Sequence, residues 1–279
     1  METHPGTLYV VAVPIGNLGD FTPRALEVLA QMDYLACEEV QATRRLLAAY
    51  SLSAQYLSYR ESGREKAGEA VVELLQQGAK VALVAGAGTP AISDPGRDLV
   101  AKCREEGLPV VPIPGVSALT AALSVCGLPG RRLAFEGFLP RAEGERRQFL
   151  ASLRSEERTC VFFEAPHRLL ATLELLVELW GERRAFVGRE LTKYYEETLT
   201  STLSQLVEHF RAEAPRGEFV LIVEGFSPDP HSEEEEEKRQ LEADLAFMQR
   251  LGLRPKERVE LLAHFRQIPK NKAKALAWE

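Results

Sequence analysis

The side chains suited to moving a proton gather in a few places. Glu38 and Glu39 follow the apolar run YLAC, Asp94 sits in the proline- and glycine-rich stretch AGAGTPAISDPG, and Glu190 and Lys193 share RELTKYYEE. A positioned carboxylate takes a proton from a weak oxygen or nitrogen nucleophile. A lysine does so only where burial or a neighbouring cation depresses its pKa. Glu38, Glu39, Asp94 and Lys193 are therefore the candidate catalytic groups. Glu190 stands beside them, as a base or as a structural partner of Arg189 and Lys193. His167, in EAPHRL, is expected to begin a helix. The His, Cys and carboxylate residues show no metal-ligand spacing, so no metal is expected.

The run Gly86-Ala87-Gly88-Thr89-Pro90-Ala91 fits the G-x-G-x-x-G/A pattern of a dinucleotide-binding loop. That reading needs a helix opening directly after the first glycine and an acid at the end of the next strand. Pro90 and Pro95 interrupt such a helix, and the next strand ends in Ile113-Pro114. A phosphate loop of the Walker A type is excluded, because it requires a lysine that is absent here. What remains is backbone: glycines permit close approach and positive φ, and prolines fix an open turn. Two further loops of this make-up follow apolar runs. They are VPIGNLGD (13–20), with Pro14 and Gly16, and PIPGVSAL (112–119), with Pro114 and Gly115. Three such loops at the carboxyl ends of strands in an open sheet are placed to line one ligand cleft.

Strands must carry those loops. Apolar runs predict strands at 8–13, 34–38, 55–59, 80–85 and 108–114. Helices are expected from Thr22-Pro23 through Met32, from Ser62 to Gly78, and over 96–106. Ser62-Gly63-Arg64-Glu65 reads as a capping box and Pro23 as a first-turn proline. This alternation implies a parallel-rich sheet covered by helices. An apolar, small-residue helix at 116–127 leads into further strands at 133–138, 159–165, 184–191, 194–200 and 219–225. Helices separate them only at 167–180 and 203–211, so antiparallel pairs are expected. PRAEGERRQF (140–149) reads as a mobile loop.

At 279 residues the chain suggests two modest α/β domains, at 1–115 and 116–226, with an acidic linker at 227–237 and a small basic helical region at 238–279. The linker carries five consecutive glutamates; the last segment has ten Lys/Arg against five Asp/Glu and reads as two helices. The overall charge of −7 argues against non-specific nucleic-acid binding by the whole surface, though not by local patches. No run approaches the ~20 apolar residues of a membrane helix, and METHPG lacks a basic n-region, so a cytoplasmic protein is expected. Cys37, Cys103, Cys126 and Cys160 lie far apart in apolar contexts and are expected to be buried free thiols.

Seven pieces of the chain, in order, carry a resemblance: PIGNLGDFTPRALEVL, AGTPAISDPG, VVPIPGVSALTAAL, EGFLPR, FFEAPHRLL, RELTKYYEE and GEFVLIVEG. The sequence resembles the ribosomal RNA small subunit methyltransferase I family, the 16S rRNA cytidine 2′-O-methyltransferases of the tetrapyrrole methylase-like superfamily. The resemblance implies two α/β domains with S-adenosylmethionine in the cleft between them, a small C-terminal helical appendage, a homodimer, and the small ribosomal subunit as partner. By motif match, Gly88, Thr89, Pro90, Ser93 and Asp94 are expected to bind the cofactor, together with Pro14 and Gly16. Pro114, Gly115, Ser117 and Ala118 are expected to form a second wall, with Glu218 to Leu221 on the adenine side. Phosphate contacts are expected from Arg141, Arg146 and Arg147 and from Lys256, Lys270, Lys272 and Lys274. Tyr194 and Tyr195 are placed to stack on a base or to pack. Two departures stand out. Where the family carries Ala-Glu-Asp-Thr-Arg this chain has Cys37-Glu38-Glu39-Val40-Gln41, and where it carries Ser-Asp-Ala-Gly-Thr-Pro this chain has Ala85-Gly86-Ala87-Gly88-Thr89-Pro90. Two other readings stay open: a paralogous methyltransferase with a different acceptor, and a non-catalytic RNA- or ribosome-binding relative.

Overall fold

The computed structural model describes residues 6–60, 62–227, 241, 243–266, 269, 273 and 274. Its first sheet is wholly parallel. The strands β1 (Thr7–Val11), β2 (Tyr34–Cys37), β3 (Gln55–Ser58), β4 (Lys80–Val84) and β5 (Val110–Ile113) lie in the order β3-β2-β4-β1-β5. Helices α1 (Pro23–Leu29), α2 (Val40–Ala48), α3 (Arg64–Gln76) and α4 (Arg97–Glu105) cover it. Leu8, Ala36, Val81 and Leu83 pack with Val72, Leu75, Leu99 and Cys103 on one face. Val11, Leu35, Ala82 and Val84 pack with Ala25, Leu29 and Leu47 on the other. Burial on both faces is why these strands read as unbroken apolar runs.

Helix α5 (Ala118–Val125) leads to a second sheet, formed by β6 (Leu133–Phe138), β7 (Thr159–Glu164), β8 (Arg184–Arg189), β9 (Glu197–Thr202) and β10 (Phe219–Val223). Their order is β6-β7-β10-β8-β9; β6 and β7 are parallel and the other pairs antiparallel, as the short connections imply. Helices α6 (Glu143–Ser152), α7 (Pro166–Trp180) and α8 (Leu203–Ala212) bury one face, where Phe162, Val187 and Leu221 meet Leu150, Leu173 and Phe210. Val161, Phe186, Val220 and Ile222 fill the other, against Ile15, Ala122 and Cys126 from the preceding half. That second face joins the two sheets into one compact unit ending at Gly225.

The local signals explain most boundaries and correct three expectations. Thr22 Oγ1 accepts from the Ala25 N–H at 3.2 Å and Pro23 fills the first turn of α1, as a cap and a proline at that spacing should. The capping box at Ser62 does not form: Gly63, at φ +89, takes the cap position without a side-chain bond, and α3 begins at Arg64. The segment expected to be a mobile loop at 140–149 is instead largely α6, because Leu150 and the Arg146 stem find a buried face. Strand β9 starts at Glu197 rather than at Tyr194, which leaves both tyrosines in a turn.

The second unit runs from Phe226 to Glu279. Residues 243–250 are helical, and α9 (Pro255–Phe265) packs Leu262 with Leu241, Leu245 and Ala273. The acidic stretch 228–237 lies outside the described residues, as do Lys270 and Lys272. All four cysteines are free and buried, and burial pushes the Cys103 and Cys160 thiols up to about 11 and about 12. Among the described residues, no helix is long and apolar enough to cross a membrane.

Candidate active site

Strand order alone brings three distant loops together. β1 lies between β4 and β5, so the chain leaving these strands at Ala12, Ala85 and Pro114 emerges along one sheet edge. The loops are then stitched to each other. Val13 N–H donates to the Gly88 carbonyl at 2.9 Å and Gly88 N–H to the Val13 carbonyl at 3.0 Å. Thr89 Oγ1 donates to the Val116 carbonyl at 3.0 Å. Gly88 sits at φ +72, and a Cβ there would lie 3.2 Å from Ile15 Cγ2. Ala91 and Ser93 also hold positive φ, of 66° and 62°, which costs of order 1–3 kcal/mol each and persists only where the surroundings impose it. Here Gly137, in the irregular stretch of β6, leaves room for Ser93: a Cβ would meet its Oγ at 2.8 Å.

Between this edge and the second sheet lies a cavity of about 350 Å³. Ala87 to Thr89, Ile92 to Asp94, Ser117 and Ala118 form one wall. Phe138, Phe163, Glu164 and Gly217 to Val220 form much of the other. Gly88, Gly188 and Gly217 all line it and present bare backbone; a Cβ there would stand 3.2 Å from Ile15, 3.0 Å from Phe186 and 2.6 Å from Glu190 respectively. Such a wall suits a ligand with a ring and polar ends: apolar surface for the ring, with N–H and C=O groups within reach.

Asp94 and Lys193 differ sharply in electrostatics. Burial, and after it the charge of Glu38, pushes the Asp94 carboxyl up to about 6. Such a group changes protonation near neutrality, as a general base requires. Lys193 does the opposite. Burial pulls its ammonium down, but the hydrogen bonds it donates to Glu218 and Glu190, each 2.9 Å, outweigh burial and hold it above the ordinary lysine value. Lys193 is therefore corrected from candidate base to a fixed cation at the cavity wall. Glu190 is its anchor: burial raises its carboxyl, while Lys193 and the Glu218 N–H bring it below the usual range.

The remaining sequence-derived residues separate clearly. Gly88, Thr89, Ser93, Asp94, Ser117, Ala118 and Glu218 line the cavity. Pro14, Gly16, Pro90, Pro114 and Gly115 do not, and act by shaping the loops: a Cβ on Gly115 would stand 3.0 Å from Ala12 Cβ, and one on Gly16 only 2.5 Å from Lys193 Cγ. Leu221 is corrected outright, since alternation along β10 turns it into the core while Val220 faces the cavity. Glu38 acts on Asp94 through its charge without lining the cavity, and Glu39 pairs with Arg60 at 3.2 Å. Among the expected phosphate contacts, Arg146 is buried and corrected to a structural role, Arg147 is held bidentately by Glu178 at 2.6 and 2.7 Å, and Arg141, Lys256 and Lys274 are exposed. His167 is exposed in the first turn of α7. Gly86 does not line the cavity, and open space surrounds the place a Cβ would take.

The apolar and glycine wall residues Ile15, Ile92, Phe138, Phe163, Gly188, Leu191 and Gly217 escaped the sequence reading, and so did one charged wall residue. Glu164 is buried, accepts from the Ala165 N–H at 2.9 Å and Thr172 Oγ1 at 2.8 Å, and stands 3.2 Å from Arg168 Nε. A lone acid closing the apolar strand TCVFFE was its signal.

Known proteins carry the same pattern. A family model described as Tetrapyrrole (Corrin/Porphyrin) Methylases matches residues 7–207. The chain is 42% identical over 275 residues to Ribosomal RNA small subunit methyltransferase I of Synechocystis sp., covering 98% of each. It is 41% identical over 277 residues to the protein of that name from Escherichia coli O157:H7, covering 97% of this chain and 94% of that one. In fold it resembles uroporphyrin-III C-methyl transferase from Thermus thermophilus, a structure complexed with S-adenyl homocysteine. The TM-score is 0.55 at 18% identity, over 78% of this chain and 97% of that one. Two α/β layers around one glycine-walled cavity, together with identity that runs nearly end to end, place the chain among the tetrapyrrole (corrin/porphyrin) methylases, and within them it belongs to the ribosomal RNA small subunit methyltransferase I family.

Proposed function

We propose that this protein methylates the ribose 2′-hydroxyl of a cytidine in 16S rRNA, acting on the small ribosomal subunit in the cytoplasm as a homodimer. Asp94 carries the reading: it is a cavity-wall carboxyl brought near neutrality by its surroundings, in a chain of an rRNA methyltransferase family. When bound, S-adenosylmethionine supplies an electrophilic methyl group whose bonding electrons stay with sulfur on displacement. Gly88, Thr89, Ser117 and Ala118 fit its polar end and edges, and Glu218 with Gly217 fits the opposite side. Asp94 accepts the hydroxyl proton as the oxygen–methyl bond forms, which relieves the weakness of a ribose hydroxyl as nucleophile. Ile15, Ile92, Phe138, Phe163 and Leu191 keep competing water from the site, and the stitched loops fix the approach.

The test is methyl transfer from radiolabelled S-adenosylmethionine to small subunits lacking 2′-O-methylation. Label on one cytidine 2′-oxygen, lost in Asp94→Asn, supports the reading. Label on a base atom, or none from a protein that binds the cofactor, overturns it. Sedimentation of the purified protein decides the homodimer, against a protomer of 31.0 kDa.

A further inference from the structure

Strand β6 carries one residue more than the strand it pairs with. Leu133 to Phe135 run in step with Thr159 to Val161; the register then shifts past Glu136, and Gly137 and Phe138 stand opposite Phe162 and Phe163. The shift decides which side Phe138 takes. Cys160 and Phe162 lie on the side of the sheet buried by α6, α7 and α8, whereas Val161 and Phe163 lie on the side that meets Ile15 and Ala122. Without the extra residue, Phe138 would alternate onto the helix side. With it, Phe138 joins Phe163, at 5.5 Å between ring centroids, and lines the cavity.

Both sequence neighbours of Phe138 are held. Gly137 takes φ +63, and a Cβ there would stand 2.8 Å from Ser93 Oγ, so β6 lies directly against the loop that carries Asp94. On the other side, Arg168 donates to the Leu139 and Pro140 carbonyls at 3.0 and 2.9 Å, and buried Glu164 holds Arg168 in turn at 3.2 Å. Yet the ring so carefully placed is 59% exposed. Tyr194 and Tyr195 are more exposed still, but neither lines the cavity. An open aromatic face at the rim is offered to whatever enters last from solution. A ribose delivered to Asp94 brings its base with it, and every base has a π-face that stacks on such a ring.

We infer that Phe138 is the stacking platform of the acceptor nucleobase, holding it so that its ribose hydroxyl meets Asp94. This rests on the RNA methylation proposed above and adds to it how the target nucleotide is gripped. The ring takes no part in making or breaking bonds.

The test compares Phe138→Ala, Phe138→Leu and Phe138→Tyr. Four quantities are read: kcat/KM for unmethylated small subunits, its dependence on salt, affinity for S-adenosylhomocysteine by calorimetry, and sedimentation. Loss of one base–aromatic stack corresponds to roughly a 5- to 150-fold fall in kcat/KM. That fall is expected in Phe138→Ala and in Phe138→Leu, which keeps apolar bulk without a π-face, while Phe138→Tyr stays close to wild type. The salt slope should hold, since no phosphate contact is removed, and so should cofactor affinity and sedimentation. If Phe138→Ala melts early, Phe138→Leu against Phe138→Tyr decides. A Phe138→Leu variant as active as wild type makes the ring mere apolar cover. A parallel loss of cofactor affinity assigns it to the methyl donor, and altered sedimentation assigns it to a second copy of the chain. Each of these overturns the inference and leaves rRNA methylation standing. A wild-type protein that labels no small subunit overturns the function, and the inference falls with it.

Discussion

Replacing Glu38 with glutamine is expected to move the acid limb of methyl transfer to lower pH. The Asp94 carboxyl is pushed from 3.8 up to about 6, first by burial and then by the Glu38 charge. A base must be ionised, so kcat/KM should climb through about pH 6 and level off above it. Between about pH 7 and about pH 5 the ionised fraction drops from roughly 0.9 to roughly 0.1, close to a tenfold fall in rate. Glu38→Gln removes the charge and leaves the burial, so it shifts the limb by only part of the rise. Asp94→Asn removes the base itself, with a loss of about 10²–10⁴-fold and no acid limb. Stability supplies an independent sign. A carboxyl whose folded pKa is raised supports the fold fully below 3.8, and that support is lost as pH rises through about 6. At neutral pH ionised Asp94 therefore weighs against the fold, by ~3 kcal/mol at face value and about 1–2 once its contact with solvent is allowed for. Asp94→Asn should melt above wild type near neutral pH and not at about pH 3.5. Single-turnover methyl transfer across pH, with melting curves on the same samples, checks both. An acid limb unmoved in Glu38→Gln and still present in Asp94→Asn would refute the reasoning.

Other perturbations separate the roles assigned above. Lys193→Met should lower stability by only about 1 kcal/mol, since its pairs are partly exposed, and should leave the acid limb in place; a lost limb would restore Lys193 as the base. Gly88→Val puts a β-branched residue at φ +72 against Ile15, costing about 1–3 kcal/mol in denaturant unfolding and weakening S-adenosylhomocysteine in calorimetry. Glu164→Ala strips the carboxylate from Arg168, whose side chain is 14% exposed, and should cost about 3–5 kcal/mol in the same unfolding measurement. Gly86→Asp restores the family's aspartate in open space and should leave cofactor affinity unchanged.

The parallel sheet was legible because its strands are short apolar runs separated by helices with ordinary caps, and the glycine loops announced where a ligand would sit. Reading failed where a feature depends on tertiary partners. PRAEGERRQF is polar enough to pass for a loop, yet Leu150 and the buried Arg146 give α6 a face against the second sheet. YYEETLT has the composition of a strand, but Glu190 and Thr192 hold positive φ and Glu196 accepts from the Thr192 N–H, so a turn delays β9 and leaves Tyr194 91% exposed. Helix α2, for which the sequence showed no cap, starts at Val40 with Glu39 engaged by Arg60 instead. Within the site, motif matching found the loops but not the alternation that sends Leu221 inward. It also gave no means of ranking four candidate bases, a choice that depends on burial and neighbouring charge.

The cavity wall begins at Ile15, just after the first strand, and ends at Val220, in the last. No contiguous fragment shorter than 15–220 carries it whole, and during synthesis it cannot exist until Val220 has left the ribosome. A ligand seated there therefore selects only the completed unit, and binds no half-made one. At about a hundredfold excess over its Kd it adds ~2.7 kcal/mol to unfolding, spread over both sheets rather than one. The lifetime of this protein in a cell should then follow the supply of its methyl donor, with starvation for that donor read out as degradation of the enzyme before any change in its synthesis.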